Sequence, residues 1–219
     1  MAQKRWIGNG NSEMKKKIVL YTAAFGSRLR FKIPEVSDMS VDRFCYSDIP
    51  RDTGGFYDFR KLKISQPSSV RRQRFVKIII PDELFDNYEY SVYVDCKRPY
   101  SVDYEHLLSC LEPNSDILTR AHRKRNCLYD EGRFCILKKK DSAATIQRQL
   151  DYYKKERCPW NLGLHASGIL LRRHTERLRE FSYFWWNQIE IFSHRDQISL
   201  PYAAWKTDMK ISICERRRQ

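Results

Sequence analysis

The sequence has no CxxC pair and none of the Cys/His spacing that marks a zinc ribbon or finger, although it contains seven cysteines. Cys45, Cys96, Cys110, Cys127, Cys135, Cys158 and Cys214 are odd in number, which argues against a disulfide framework and for reduced thiols in an intracellular, cytoplasmic protein. No apolar run approaches the ~20 residues that a membrane span requires. Lys15, Lys16 and Lys17 ahead of the apolar stretch 18–25 imitate a signal peptide, but the stretch is short and runs on into Gly26, Ser27 and Arg28. It reads as a buried strand behind a polar arm (residues 1–16). There is no GxGxxG, so the dinucleotide fingerprint is missing, and no recognised DNA- or RNA-binding signature occurs.

What is present is a globular composition of 219 residues, 42% hydrophobic and 13% aromatic, enough for one sizeable core and a single domain. The formal net charge of +14 calls for a negatively charged partner: nucleic acid, an anionic lipid surface or a phosphorylated small molecule. The most informative stretch is residues 90–97. Tyr90, Val92 and Val94 alternate with Ser91, Tyr93 and Asp95, a strand pattern closed by an acid and followed by Cys96, Lys97, Arg98 and the breaker Pro99. In open α/β sheets ligands bind beyond the carboxyl ends of the strands, which would put Asp95 where a substrate arrives. A turn-opening aspartate is the plainer reading of the same residue.

Taken in order, residues 17–25 read as a strand covered on both faces. Gly26 then allows a close backbone approach, with Arg28 or Arg30 in reach of a phosphate. A second strand (41–46) ends at Ser47 and Asp48. Pro67, Ser68 and Ser69 open a helix that carries Arg71, Arg72, Arg74 and Lys77. Residues 81–88 are a connection, and Ser101 caps a helix through Leu111. A short strand at 116–119 leads into a polar constellation at 122–131. Asp141 or Ser142 starts a helix with Ile146, Leu150 and Tyr153 at core spacing. A strand at 166–172 ends in Arg172, Arg173 and His174, and Thr175 caps a long helix with the stripe Leu178, Phe181, Trp185, Ile189 and Phe192. The chain closes with a basic tail (207–219). Strands and helices alternate, which is an α/β layer architecture.

Several of these pieces, in this order, resemble one family: residues 18–26, 44–48, 90–97, 122–131, 169–175, and the Phe184, Trp185, Trp186 helix followed by Arg195, Asp196, Gln197, Ile198 and Ser199. They are similar to the glycosyltransferase-like domain of plant cell-wall and bacterial polysaccharide proteins, long carried as a domain of unknown function. The likeness covers about residues 17–206. It implies a single GT-A (Rossmann-like) domain, with a mixed, mostly parallel sheet flanked by helices and a nucleotide-sugar donor such as a UDP-sugar at the sheet's carboxyl edge. By that resemblance Thr22, Gly26, Arg28 and Asp48 would hold the nucleoside end of the donor. Lys77, Lys97, Arg125 and Arg172 would neutralise its diphosphate. Asp95 corresponds to the first acid of an Asp-x-Asp metal motif, but Lys97 stands at the third position, and an ammonium there disfavours Mn2+ or Mg2+. Asp196 and Gln197 resemble the Asp-Gln pair that contacts the donor sugar in glycogenin-like retaining transferases. His122, Glu131, Trp186 and Arg195 are the expected acceptor or sugar contacts.

The expected activity is transfer of a sugar to a glycan, lipid-linked or protein acceptor in polysaccharide biosynthesis, with peripheral contact to an anionic membrane. Two other readings accompany it. One is a basic nucleic-acid-binding domain without catalysis, which the charge favours and the burial of aromatics in helical stripes disfavours. The other is a sugar-nucleotide or glycan binder without turnover, which Lys97 keeps open.

Overall fold

A computed structural model describes residues 16–27 and 31–215 of the chain. The first strand, β1 (Lys16–Ala23), is buried on both faces from Val19 onward, as its unbroken apolar run requires. It lies between β3 (Asp42–Ser47) and β5 (Tyr88–Val94), parallel to both, with Tyr21 opposite Phe44 on one side and Tyr93 on the other. Beyond β3 comes β4 (Asp58–Lys61). On the far side of β5 lie β8 (His165–Arg173), β7 (Ile117–Ala121) and β9 (Ile211–Ile213), giving the order β4-β3-β1-β5-β8-β7-β9. β8 runs antiparallel to both of its neighbours, while the other pairings in this sheet are parallel. The fold is therefore α/β, with a mixed, mostly parallel sheet flanked by helices.

The helices are α1 (Ser69–Ile78), α2 (Asp82–Asn87), α3 (Tyr104–Ser109), α4 (Leu128–Leu137), α5 (Ala143–Lys155), α6 (Glu176–Ile191) and α7 (Asp196–Lys206). Three start on the capping hydroxyls that the sequence announces. Ser68 accepts from the Arg71 N–H, Ser142 from Thr145 and Thr175 from Leu178. One sheet face packs Tyr21, Tyr93 and Leu170 against Ile78, Phe181, Trp185 and Leu200 of α1, α6 and α7. The other packs Leu20, Val92, Val94, Leu118 and Leu171 with Leu107 of α3 and Cys214. A third cluster joins α4, α5 and α7 through Tyr129, Ile146, Leu150, Tyr153, Ile198 and Tyr202, with the Tyr153 and Tyr202 rings stacked at 3.8 Å.

Three sequence expectations change. Ser101 does not cap a helix: it pairs with Glu35 in a two-stranded parallel ribbon of β2 (Glu35–Val36) and β6 (Ser101–Val102). The cap is Asp103, whose side chain accepts from the His106 N–H. Residues 81–88 are not a bare connection, because α2 buries Leu84 and Phe85. Nor does the ordered domain stop at 206. β9 pairs with β7, and Met209 and Cys214 are buried. The arm at 1–15, residues 28–30 and the end at 216–219 lie outside the described residues. Among the described residues, no helix is long and apolar enough to cross a membrane.

Candidate active site

Asp95 follows directly on β5, and its backbone N–H donates to the Gly168 carbonyl of β8 (2.9 Å), which fixes where its side chain emerges. Gly168 lets the Tyr100 hydroxyl lie close over the strand here, since a Cβ would stand 2.1 Å from that oxygen and push the ring aside. Helix α1 crosses above with Gln73, Arg74 and Lys77 on one face, at helical i, i+1 and i+4. α7 begins at Asp196 on the other side. Lys77 joins the two acids: its Nζ lies 2.6 Å from Asp196 Oδ2 and 3.7 Å from Asp95 Oδ2. The other Asp196 oxygen meets Arg74 Nε at 3.2 Å, and Ser167 Oγ donates to Oδ2 at 2.8 Å. Asp95 Oδ1 accepts from Gln73 Nε2 (2.7 Å) and from the Tyr93 hydroxyl (2.9 Å).

These groups differ sharply in access. The Lys77 and Asp196 side chains are 1% and 2% exposed, whereas Asp95 is 24% exposed and remains open to a ligand. Burial by itself would raise the Asp196 pKa. The positive charges of Arg74, Lys77 and Arg195 overcome it and hold the carboxyl far below the usual carboxylate range. Burial would likewise lower Arg74, but Asp196 and Asp95 raise it. Burial pushes Tyr93 well up, so it stays a phenol that donates to Asp95.

Beside this cluster a recess opens between the end of β1 and the start of α1, lined by Ala23, Phe25, Ser69, Val70, Gln73 and Lys97. Gly26 turns there with φ +93°, and a Cβ on it would approach Ser69 Cβ to 3.1 Å. Asp48, just past the end of β3, is salt-bridged to Arg72 at 2.9 Å and accepts from the Gly26 N–H at 3.4 Å. The first turn of α1 borders this space through Ser69 and Val70, with the Arg71 N–H capped by Ser68, and the positive end of the helix dipole is a favourable surround for phosphate. Arg28 lies outside the described residues.

The far side of the cluster is built from α4, β8 and α7. Glu131 is buried, 2.7 Å from Arg125 Nε and 3.9 Å from Arg195 Nη2, and it accepts from the Cys135 thiol. Gln197 Nε2 donates to the His165 carbonyl at 3.0 Å, and Gln197 Oε1 accepts from Arg195 at 3.4 Å. His122 Nδ1 accepts the backbone N–H groups of Lys124 and Arg125, which closes the turn ahead of α4. Burial is the main influence lowering the His122 pKa, and the nearby Glu131 opposes it.

Three expected donor or sugar contacts do not join this assembly. Arg172 is buried in the core, where it donates to the Lys77 and Ile78 carbonyls at 2.7 and 3.3 Å and to the Tyr21 hydroxyl. It caps the end of α1. The reason is the direction of β8: its antiparallel course carries Arg172 back opposite Ser91, away from the edge where Asp95 stands. Trp186 is buried edge-on against Phe75, with ring centroids 5.1 Å apart. Thr22 donates to the Val94 carbonyl at 2.7 Å inside the sheet. Conversely, the sequence reading assigned no site role to Gln73, Arg74, Tyr93, Ser167 or His165. The signal for the α1 pair was the spacing from Gln73 to Lys77. The β8 pair is visible only once that strand's reversal is known, because it brings the start of β8, not its end, to this edge.

Residues 59–216 match the family described as TOD1/MUCI70, glycosyltransferase-like domain. The chain belongs to the TOD1/MUCI70 glycosyltransferase-like family. Within Arabidopsis thaliana it is 28% identical over 167 residues to the protein named probable hexosyltransferase MUCI70, an alignment covering 68% of this chain and 29% of that protein. To the one named alkaline ceramidase TOD1 it is 23% identical over 170 residues, covering 71% of this chain and 37% of that protein. The chain thus spans about a third of the length of these curated relatives. Among solved structures, mouse xyloside xylosyltransferase 1 (apo form) is similar at a TM-score of 0.44 and 10% identity, with 91% of this chain and 85% of that chain covered. The mannosyltransferase Ktr4p of S. cerevisiae is similar at a TM-score of 0.44 and 7% identity, with 87% and 65% covered. These structural likenesses are too distant to bear on activity.

In this family member the residues around Asp95 do not fit Mn2+ or Mg2+. Such cations take several carboxylate or carbonyl oxygens. Here Asp95 spends one oxygen on Gln73 and Tyr93 and faces the Lys77 ammonium with the other. Asp48 is paired with Arg72 and Glu131 with Arg125. Fixed cations occupy the positions where a metal would need acids.

Proposed function

We propose that this TOD1/MUCI70-type domain transfers a glycosyl group from a nucleotide-sugar, such as a UDP-sugar, to a hydroxyl of a glycan, lipid-linked or protein acceptor. The observation that carries this reading is Lys77, held between two acids from distant elements, beside a recess at the carboxyl edge of the sheet. The donor diphosphate takes the recess, where the exposed Lys97 and the start of α1 meet its charge. Asp95, the exposed acid, hydrogen-bonds hydroxyls of the donor sugar and supports positive charge at the anomeric carbon. The anomeric C–O bond to phosphate breaks, and the nucleoside diphosphate leaves with the bonding pair. The acceptor oxygen bonds to the anomeric carbon, and its proton passes to a carboxylate or to solvent.

Asp196 is fully engaged and buried, and acts as a positioning residue that fixes Lys77 and Arg74. Gln197, Arg195, Glu131 and Arg125 form the acceptor side. Metal plays no step in this scheme. A second reading, a sugar-nucleotide or glycan binder without turnover, is favoured by Lys97 at the position of a second acid.

Thermal-shift measurements with nucleoside diphosphates and their sugars, paired with an assay for released nucleoside diphosphate, separate the two. Stabilisation with acceptor-dependent release supports transfer, and stabilisation without release selects the binder. Asp95→Asn should abolish release while keeping the far-ultraviolet circular dichroism of the parent, at a lower melting temperature because Lys77 loses one of its two acids. Wild-type release from that variant rejects the assigned site. Salt-sensitive binding to arbitrary oligonucleotides without any nucleotide response would instead favour the nucleic-acid reading.

A further inference from the structure

Away from Asp95, on the opposite face of the sheet, α3 and the strand end after β9 bring three metal-ligating side chains together. His106 and Cys110 are one turn apart at i and i+4, and Cys214 arrives from the far end of the described chain. Their ligand atoms all lie within 4.8 Å of one another. His106 Nε2 is 3.3 Å from Cys214 Sγ and 3.9 Å from Cys110 Sγ, and the two sulfurs are 3.1 Å apart. Cys214 is buried, while His106 and Cys110 are half-buried, so an ion can enter without unfolding the strand. No zinc-finger spacing marks this trio in the sequence, because it is assembled across the fold. The pair at 106 and 110 is a helical ligand pair whose third member lies 104 positions beyond Cys110.

We propose that His106, Cys110 and Cys214 bind one zinc ion. Two thiolates with an imidazole form a donor set that selects zinc over the hard cations considered at a donor site. A tetrahedral ion with Zn–S of ~2.3 Å and Zn–N of ~2.0 Å sets its sulfurs roughly 3.8 Å apart and its nitrogen about 3.6 Å from each. The His–Cys separations already bracket that value. The sulfurs need only part by roughly 0.7 Å, within reach of small side-chain rotations. The fourth position falls to water or to the Glu215 carbonyl, which lies 3.3 Å from His106 Nε2. Binding releases the two thiol protons. Its effect is structural: it ties the end of the short edge strand β9 to α3, over the core that both share.

The test uses the full chain purified without chelator and with reductant. Elemental analysis should find one zinc per chain. Replacement by Co2+ should give the intense visible d–d bands and near-ultraviolet sulfur charge-transfer band of a tetrahedral thiolate site. Cys110→Ser, at a half-buried helix end, should lose the zinc and the charge-transfer band while keeping the far-ultraviolet circular dichroism of the parent. Cys45→Ser, in the core beside β1, should keep both. A chelator should lower the melting temperature of the parent and leave that of Cys110→Ser unchanged. A chain that stays metal-free with added zinc, or gives only the weak bands of octahedral Co2+, overturns the proposal. So does a Cys110–Cys214 disulfide in a non-reducing peptide map.

Discussion

Lys77 carries its charge in a place where water has almost no access, and its stability there depends on two acids holding it. Removing one partner of a buried pair leaves the other uncompensated, at a cost of about 3–5 kcal/mol. Asp196→Asn is therefore expected to lower the unfolding free energy by that amount in urea titrations near neutral pH. Because the folded Asp196 pKa is depressed, its contribution is complete above the unfolded value of ~4 and fades as pH falls below it. Stability profiles of parent and variant should accordingly converge in acid, and parallel profiles down to pH 2 would sink this account. His165 has the opposite chemistry and the same slope. Burial alone lowers its pKa from 6.5 to about 4, and its Nδ1 lacks a hydrogen-bond partner among the described residues. The unfolded chain thus binds the extra proton first. The neutral imidazole's contribution is full above pH 6.5 and is lost as pH drops toward 4, by up to about 3 kcal/mol. His165→Gln should flatten the parent's stability curve across that window, as followed by thermal melts at stepped pH.

At the scale of elements, the end of α1 rests on a single side chain. Arg172 serves both the Lys77 and Ile78 carbonyls, so Arg172→Met should cost about 3 kcal/mol by leaving them unserved. Nucleoside diphosphate binding should be unchanged, because Arg172 lies off the recess. Selective loss of binding with unaltered stability would return it to the site. The same residue explains what the sequence could and could not tell. Local signals were legible: Ser68, Ser142 and Thr175 start helices, Ile146, Leu150 and Tyr153 are core, and Asp95 closes a strand at the sheet edge. Strand direction was not legible, because an apolar run looks the same from either end. The mixed sheet was expected, but not which strand is reversed; placing the carboxyl end of 166–172 at the ligand edge sent Arg172 to the site and left His165 and Ser167 out. Ser101 misled for a related reason: a hydroxyl before a leucine-bearing segment resembles a cap, but its pairing with Glu35 is a contact across 66 positions (101 − 35) that no local pattern records. Lys77 was found by its charge, yet its task of joining Asp95 to Asp196 needed the crossing of α1 over β5.

For the molecule as a whole, the sequence reading closed the domain at 206 and left 207–219 as a tail, and the sheet carries the fold further with β9. The three residues Ile211, Ser212 and Ile213 are too short to announce a strand, but they cover the outer edge of β7. The Cys214 N–H extends this by donating to the Thr119 carbonyl at 2.8 Å. Ser212 also donates its backbone N–H to the buried Ser115 hydroxyl and accepts from the Glu112 N–H through its own, so the strand secures the turn that leads into β7. A chain ending at Lys206 keeps every acid and base of the candidate active site but exposes the unpaired N–H and C=O groups of β7 between apolar Ile117 and Leu118. Such an edge pairs with other chains readily, and the truncated chain, still strongly basic, resists this only while salt is low. The truncated chain should melt several degrees below the full one and form oligomers on size-exclusion chromatography as salt is raised from 50 to about 500 mM. Monomeric behaviour with an unshifted melt at both salts would show that β9 is dispensable, and that the domain ends where its last helix does.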